Sequence, residues 1–138
     1  MEAADAKQKK LAIELLDLHV YRLADEVSDY VWDIVARWQF FDKKTLGDQW
    51  VRSADSIAAN IAEGYGRYFF GEYVVFLYYA RGSLQETIHW ARKAHKRRLI
   101  TDEEQAWFKS AFDRLPKELN ATIRAIKSQQ KQWKNKKW

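Results

Sequence analysis

The chain of 138 residues has no cysteine, one proline, five glycines and one methionine. Without cysteine there are no disulfides and no thiolate metal ligands, which suits a reducing compartment. One proline and five glycines in a chain that is 47% hydrophobic point to helices with few breaks. No apolar run approaches the ~20 residues needed to cross a bilayer, and Met1–Lys7 lacks the basic-then-apolar order of a secretory signal. The reading is a cytoplasmic protein with no membrane partner. Its length suits one domain with its own core.

Charge is unevenly placed. Arg92, Lys93, Lys96, Arg97 and Arg98 fall within ten residues without an acid, as do Lys127, Lys131, Lys134, Lys136 and Lys137 within the last twelve. These blocks carry +10 of a net charge of +5, which leaves −5 for the rest. Such a split favours a localised anionic partner, RNA or DNA, over a uniformly basic surface. Five cations at a helix end exceed what the helix dipole explains. Arg92 and Lys96 share a face that can track phosphates, and Lys127, Lys131 and Lys134 lie beside Trp133 and Trp138, whose indoles can stack on unpaired bases.

Apolar periodicity predicts four helices. The first runs from about Asp5 to Trp38 through Ile13, Leu16, Val20, Leu23, Val27, Val31 and Ile34. The second starts at a capping-box-like Thr45/Asp48 pair, buries Leu46, Trp50, Ala54, Ile57 and Ile61, and stops near Glu63, where Gly64 can adopt a left-handed conformation. The third spans roughly Phe69 to Arg98, with a seam of Phe70, Tyr73, Leu77, Ala80, Leu84, Thr87, Ala91 and Ala94. The fourth starts at a Thr101/Glu104 capping box and carries Phe108, Phe112, Leu115, Leu119, Thr122 and Ile126; Pro116 should bend or divide it. Short connections imply an all-α, up-down-up-down four-helix bundle over residues 1–126, with residues 127–138 as a basic Lys/Trp extension.

The third helix has more apolar surface than a bundle needs. Phe69, Phe76, Tyr79 and Trp90 form a second aromatic row, which suits a contact between copies in a homo-oligomer. A polar cluster of Gln49, Arg52, Ser56, Asn60, Glu63, Gly64, Arg67, Arg81, Ser83 and Glu86 converges near the join of the second and third helices. Its main reading is a structural lock in which Arg81 takes Glu63 or Glu86 and Asn60 bonds the Gly64–Gly66 turn; the alternative presents Arg52, Arg67 and Arg81 to phosphates.

Catalysis has little to stand on. Glu86-Thr-Ile-His89 matches one Glu-x-x-His step of di-iron bundles, but those sites need a second step and two more glutamates. Ser83 falls inside a helix, no pattern joins a histidine to a positioned aspartate, and no phosphate-cradling glycine loop occurs. The expectation is a non-enzyme without metal or cofactor.

The Ser56-Ile-x-x-Asn60-Ile-Ala-Glu63-Gly64 core, with Ala80-Arg-Gly-Ser83-Leu-Gln-Glu86 and Asp17-Leu-His-Val-Tyr21, resembles the bacterial four-helix-bundle family that includes proteins encoded in intervening sequences of 23S ribosomal RNA genes. The resemblance covers about Leu16 to Ile126. It implies four-helix protomers assembled as homopentamers, and nucleic-acid binding of the kind proposed for the family and for a related accessory protein of diversity-generating retroelements. This chain departs from the family at Phe40-Phe41-Asp42, where a Phe-Pro pair is common, and in its Lys- and Trp-bearing tail. A protein partner, such as a nucleic-acid enzyme docked on an oligomeric scaffold, is the alternative function.

Overall fold

The protein was described from a computed structural model that defines residue 15 and residues 18–137, with side chains through residue 132. Four long helices account for it: α1 (His19–Ala36), α2 (Asp48–Tyr65), α3 (Phe70–Lys96) and α4 (Asp102–Lys137). Among the described residues there is no strand, and no helix is long and apolar enough to cross a membrane. The all-α four-helix architecture agrees with the apolar spacing. Val20, Leu23, Val27, Val31 and Ile34 of α1 share a core with Leu46, just before α2, and Trp50, Ala54, Ile57 and Ile61 of α2, all buried. The α3 seam is buried from Tyr73 to Ala94, and α4 contributes Phe108, Leu115 and Leu119; Phe70, Phe112, Thr122 and Ile126 are only half-buried.

Local chemistry departs from the sequence reading at several ends. Leu18 has extended backbone and α1 begins at His19; most of the stretch expected to be helical from Asp5, with Ile13 and Leu16, lies outside the described residues. Thr45 does not cap α2. The helical path starts at Phe40, passes through a π-helical turn over Lys43–Gly47 and continues into α2, while the Thr45 hydroxyl donates back to the Phe41 carbonyl at 2.8 Å. A Thr hydroxyl bonded to the preceding turn is a common competitor of capping inside a helix.

Gly64 is not a left-handed terminator. It lies inside α2, and no glycine has positive φ among the described residues. A Cβ there would come within 2.8 Å of Phe76 Cβ and 3.1 Å of the Tyr73 carbonyl oxygen, so glycine is required by the close approach of α3. Further up the same pair of helices the fully buried Thr87 hydroxyl meets Ser53 Oγ at 3.0 Å and the Ser83 carbonyl at 2.8 Å, while Ser53 reaches the Trp50 carbonyl at 3.1 Å. Burying two hydroxyls costs little when each is hydrogen-bonded.

Pro116 does not divide α4, which runs unbroken from Asp102 to Lys137. Buried Phe108, Ala111 and Leu115 before it, and Leu119 and Ile123 after it, hold both halves against the same core. The Thr101/Glu104 capping box forms as read: Glu104 Oε1 accepts from the Thr101 amide at 2.8 Å, and Thr101 Oγ1 from the Glu104 amide at 3.1 Å.

Two substitutions test these assignments by urea denaturation. Gly64→Ala should lower stability, because overpacking costs about 1–3 kcal/mol and outweighs the ~0.5–1 kcal/mol gained by removing a helical glycine. Pro116→Ala should raise stability by up to about 3 kcal/mol, since it restores a backbone donor to the carbonyl of residue 112. The opposite sign in either would overturn the corresponding account.

Candidate nucleic-acid interface

The upper end of the bundle is held by aromatic packing. Tyr30 stacks on Trp107 with centroids 4.0 Å apart, Trp50 lies 5.1 Å from Phe108, and Trp38 stacks on Trp50 at 5.8 Å. Burial, and then the carboxylates Glu104 and Glu103, hold the Tyr30 hydroxyl above its ordinary pKa. The Trp38 indole N–H donates to the Leu99 carbonyl at 2.9 Å, and Arg37 donates to Glu104 at 3.0 Å. The end of α1 therefore fixes the turn between α3 and α4.

That turn displays the first basic block. The Leu99 amide bonds the Ala94 carbonyl at 2.8 Å and the Arg98 amide bonds the His95 carbonyl at 3.0 Å, a Schellman closure of α3. Its left-handed position, normally glycine, is Arg98 with φ 59°. Arg92, Lys96, Arg97 and Arg98 are exposed and Lys93 is half-buried. None of the five makes an ion pair among the described residues; the nearby carboxylate of Asp102 is 3.2 Å from His95 Nε2. Arg92 and Lys109 line one open groove of about 380 Å³ between α3 and α4, with Gln105, whose Oε1 is buried without a hydrogen-bond partner. Lys109 and Gln105 escaped the sequence reading because they stand alone among acids and apolar residues on α4.

The second basic block is elsewhere. α3 and α4 are antiparallel, so Lys127 and Lys131, both exposed, lie about 37 Å and about 44 Å along α4 from its start beside the first block. Lys127 sits over the Tyr78 ring at 5.1 Å, opposite Arg81 at 4.9 Å. The side chains of Trp133, Lys134 and the residues beyond lie outside the described residues. The two blocks thus form two ends of one face and not one patch.

The polar cluster does not close as a single lock. Glu63 is taken by Arg67 at 2.9 Å, one turn away, and Arg67 also covers the Phe76 ring at 4.6 Å. Arg81 donates to Asn120 Oδ1 at 3.3 Å instead of pairing Glu63 or Glu86. Asn60 donates to the Ser56 carbonyl at 2.7 Å rather than to the glycine turn, and Arg52 pairs Asp48 at 3.0 Å. Gln49 and Glu86 are exposed, and Ser83 is half-buried. Short-range partners win because i,i+4 spacing on a helix places them together without ordering a second element. No group of three His, Cys, Asp or Glu that could hold a metal ion occurs among the described residues; His89 is exposed and packs edge-on against Trp90.

Of the aromatic row, Phe69 and Tyr79 are exposed, Phe76 is half-buried beneath Arg67, and Trp90 is half-buried with its indole N–H lacking a partner. On the other side of the bundle, Asp25, Asp29 and Asp55 crowd the α1/α2 surface. Burial, and then Asp29 and Asp55, raise the Asp25 pKa. This carboxylate cluster was also missed; Asp25 and Asp29 are one helical turn apart in the sequence.

Arg98 offers a direct test of the turn. Arg98→Gly should stabilise the fold by about 0.5–1 kcal/mol, because the left-handed conformation penalises a side chain. A loss of stability would mean that the arginine makes a compensating contact.

No curated protein matches this chain. The family described as 23S rRNA-intervening sequence protein matches residues 16–121, which takes in all of α1, α2 and α3 and more than half of α4. With the four-helix architecture in place, this chain belongs to the 23S rRNA-intervening sequence protein family.

Proposed function

We propose that the protein is a non-catalytic, homo-oligomeric bundle that binds structured RNA or DNA through the basic turn after α3. The observation that carries this reading is the exposed run Lys96–Arg98, held by a Schellman closure and free of ion pairs among the described residues. The family's name, with its reference to an intervening sequence of 23S rRNA, supports a nucleic-acid context. Arg92 and Lys109 extend the positive surface into the α3/α4 groove, and Lys127 and Lys131 supply a second contact near the far end of α4.

Such a surface works mainly by counterion release, so affinity falls steeply with salt and discriminates weakly between sequences. A duplex touching both clusters must span about 37 Å, or roughly 11 base pairs at 3.4 Å each. Self-association is supported by Phe69, just before the third helix, and Tyr79 on it, which stand 63% and 57% exposed.

Fluorescence anisotropy with RNA and DNA of equal length tests the reading. Binding should weaken with salt, and each phosphate contact removed should lower the salt slope by about one. Charge reversal at Lys96 and Arg97 should cost more affinity than reversal at Lys127 and Lys131, and both should cost more than reversal at Lys43 and Lys44. No binding at 50 mM salt, or equal losses from all three pairs, would reject the surface. The bundle is expected to leave the nucleic acid chemically unchanged; cleavage would reject the non-catalytic assignment.

A further inference from the structure

Gly82 has no reason to be glycine within one protomer. It lies in the interior of α3 with negative φ, and a Cβ added to it would meet nothing within 4 Å. A helical glycine costs about 0.5–1 kcal/mol relative to alanine. Gly64 has an internal cause for that cost, in the approach of Phe76. Gly82 does not. The residues one and two turns before it on the exposed ridge are Tyr79 and Val75, 57% and 42% exposed. Arg81 and Lys127 flank the ridge, both over Tyr78 and neither paired with a carboxylate among the described residues. A smooth, partly apolar helix face edged by cations is shaped for close contact with another helical surface.

The protomer carries a counterpart on its other side. Between α1 and α2 runs a groove of about 280 Å³ floored by Ala58, Ala59 and Ala62 and rimmed by Asp25 and Asp55. Ser28 donates to Asp55, and no cation lies within ion-pair distance of Asp25, Asp29 or Asp55 among the described residues. A second groove farther along the same helices is lined by Trp32, Val35 and Val51 together with Lys43 and Asp48, and Trp32 is 60% exposed. Shape and charge therefore match: a ridge with Tyr79 and Arg81 faces a groove of alanines and carboxylates. The remaining charges fit the same pairing. Glu72 and Glu86 bracket the ridge about 21 Å apart, and Arg22 and Lys43 stand toward the two ends of the α1/α2 channel.

We propose that the α3 ridge of one copy seats in the α1/α2 groove of a second copy, Tyr79 entering over the alanines and Arg81 reaching the Asp25, Asp29 and Asp55 carboxylates. This deepens the self-association reading above and rests on it. The partner is a second copy because the protomer itself supplies both halves of the match. The two faces differ, so the contact is head-to-tail: in a pair one copy keeps a free groove and the other a free ridge, and assembly closes as a ring or grows as a filament. It also gives Gly82 a cause, since any side chain there would hold the helices apart.

Sedimentation equilibrium, with circular dichroism as a check on folding, tests the contact. Wild type should form a particle of several copies. Gly82→Leu should keep the helical circular dichroism of a folded chain, because the residue is unobstructed within the protomer, yet sediment as a single chain. Asp25→Lys with Asp29→Lys should also remain folded and sediment as a single chain. Mixed in equal amounts, the two variants should form a complex of two chains and nothing larger, because one intact ridge then meets one intact groove. Failure of that mixture to associate, or wild-type-sized particles from either variant alone, would overturn the proposal. A wild type that is monomeric at all concentrations would overturn self-association as a whole; a wild type that assembles alongside variants that still assemble would overturn this contact only. Neither outcome bears on the basic turn's own phosphate contacts, since Lys96 and Arg97 are untouched in every variant.

Discussion

The close approach of α2 to α3 governs the rest of the architecture. At Gly64 the two backbones come so near that the β-carbon of an alanine would collide with Phe76 Cβ. Higher up, Ser53 and Thr87 meet in the buried interior. Ala80, Ala91 and Ala94 keep the α3 seam narrow at its upper end. Two helices packed this tightly have room for little between them, so the larger rings of α3 are displaced. Tyr73 turns inward, where burial pushes its hydroxyl pKa well above the ordinary range, with Tyr65 adding to the effect. Phe76 is left half-covered and Tyr79 faces out. The surplus aromatic surface is a consequence of small residues at the seam.

At the opposite side of the upper core, bulk does the work that small residues do between α2 and α3. Trp38, Trp50, Phe108, Tyr30 and Trp107 form a continuous aromatic cluster, stacked at Trp38–Trp50 and Tyr30–Trp107 and joined through Phe108 by tilted and edge contacts. The Trp38 indole then grips the Leu99 carbonyl, one residue past the left-handed Arg98. A side chain in that conformation is sustained only where its surroundings over-determine it. Here the Schellman bonds on one side and the Thr101/Glu104 box on the other leave the turn little freedom. The basic turn is thus rigid in its backbone, while its long cationic side chains remain free to adapt.

Apolar spacing made the bundle legible because each seam repeats over several turns, and a single exception does not break the pattern. Single residues were less readable. Thr45 beside Asp48 has the composition of a cap, yet the helix has already begun at Phe40 and its path is shifted by the π-helical turn. Gly64 reads as a stop when only its own φ is considered; its role depends on Phe76, twelve residues away on another helix. Arg81 offered a choice of carboxylates in sequence, but Arg67 lies four residues from Glu63 just past the end of α2, and Asn120 of α4 was invisible to any local pattern. The separation of the two basic blocks was implicit in the antiparallel topology, since each lies at the C-terminal end of a helix and the two helices run in opposite directions. The carboxylates of the α1/α2 groove were harder to find, because Asp25 and Asp29 come together with Asp55 only when two helices pack.

α3 carries opposite demands at its two halves, and its sequence separates them. Near its end, basic residues complement the helix dipole and stay hydrated, a state compatible with polyanion contact. In its first half one exposed ridge carries Val75, Tyr79 and Gly82, which favours contact with another protein surface. A single turn of cations holds few phosphates and would bind weakly at physiological salt. Copies joined through the lower ridge would present several such turns on one particle, and each contact after the first would then be intramolecular. Effective concentrations in the millimolar range raise overall affinity by orders of magnitude without any new contact. On this view the assembly surface sets how strongly the basic turns act together, and the bare glycine in the middle of α3 matters to nucleic-acid affinity although it touches no nucleic acid.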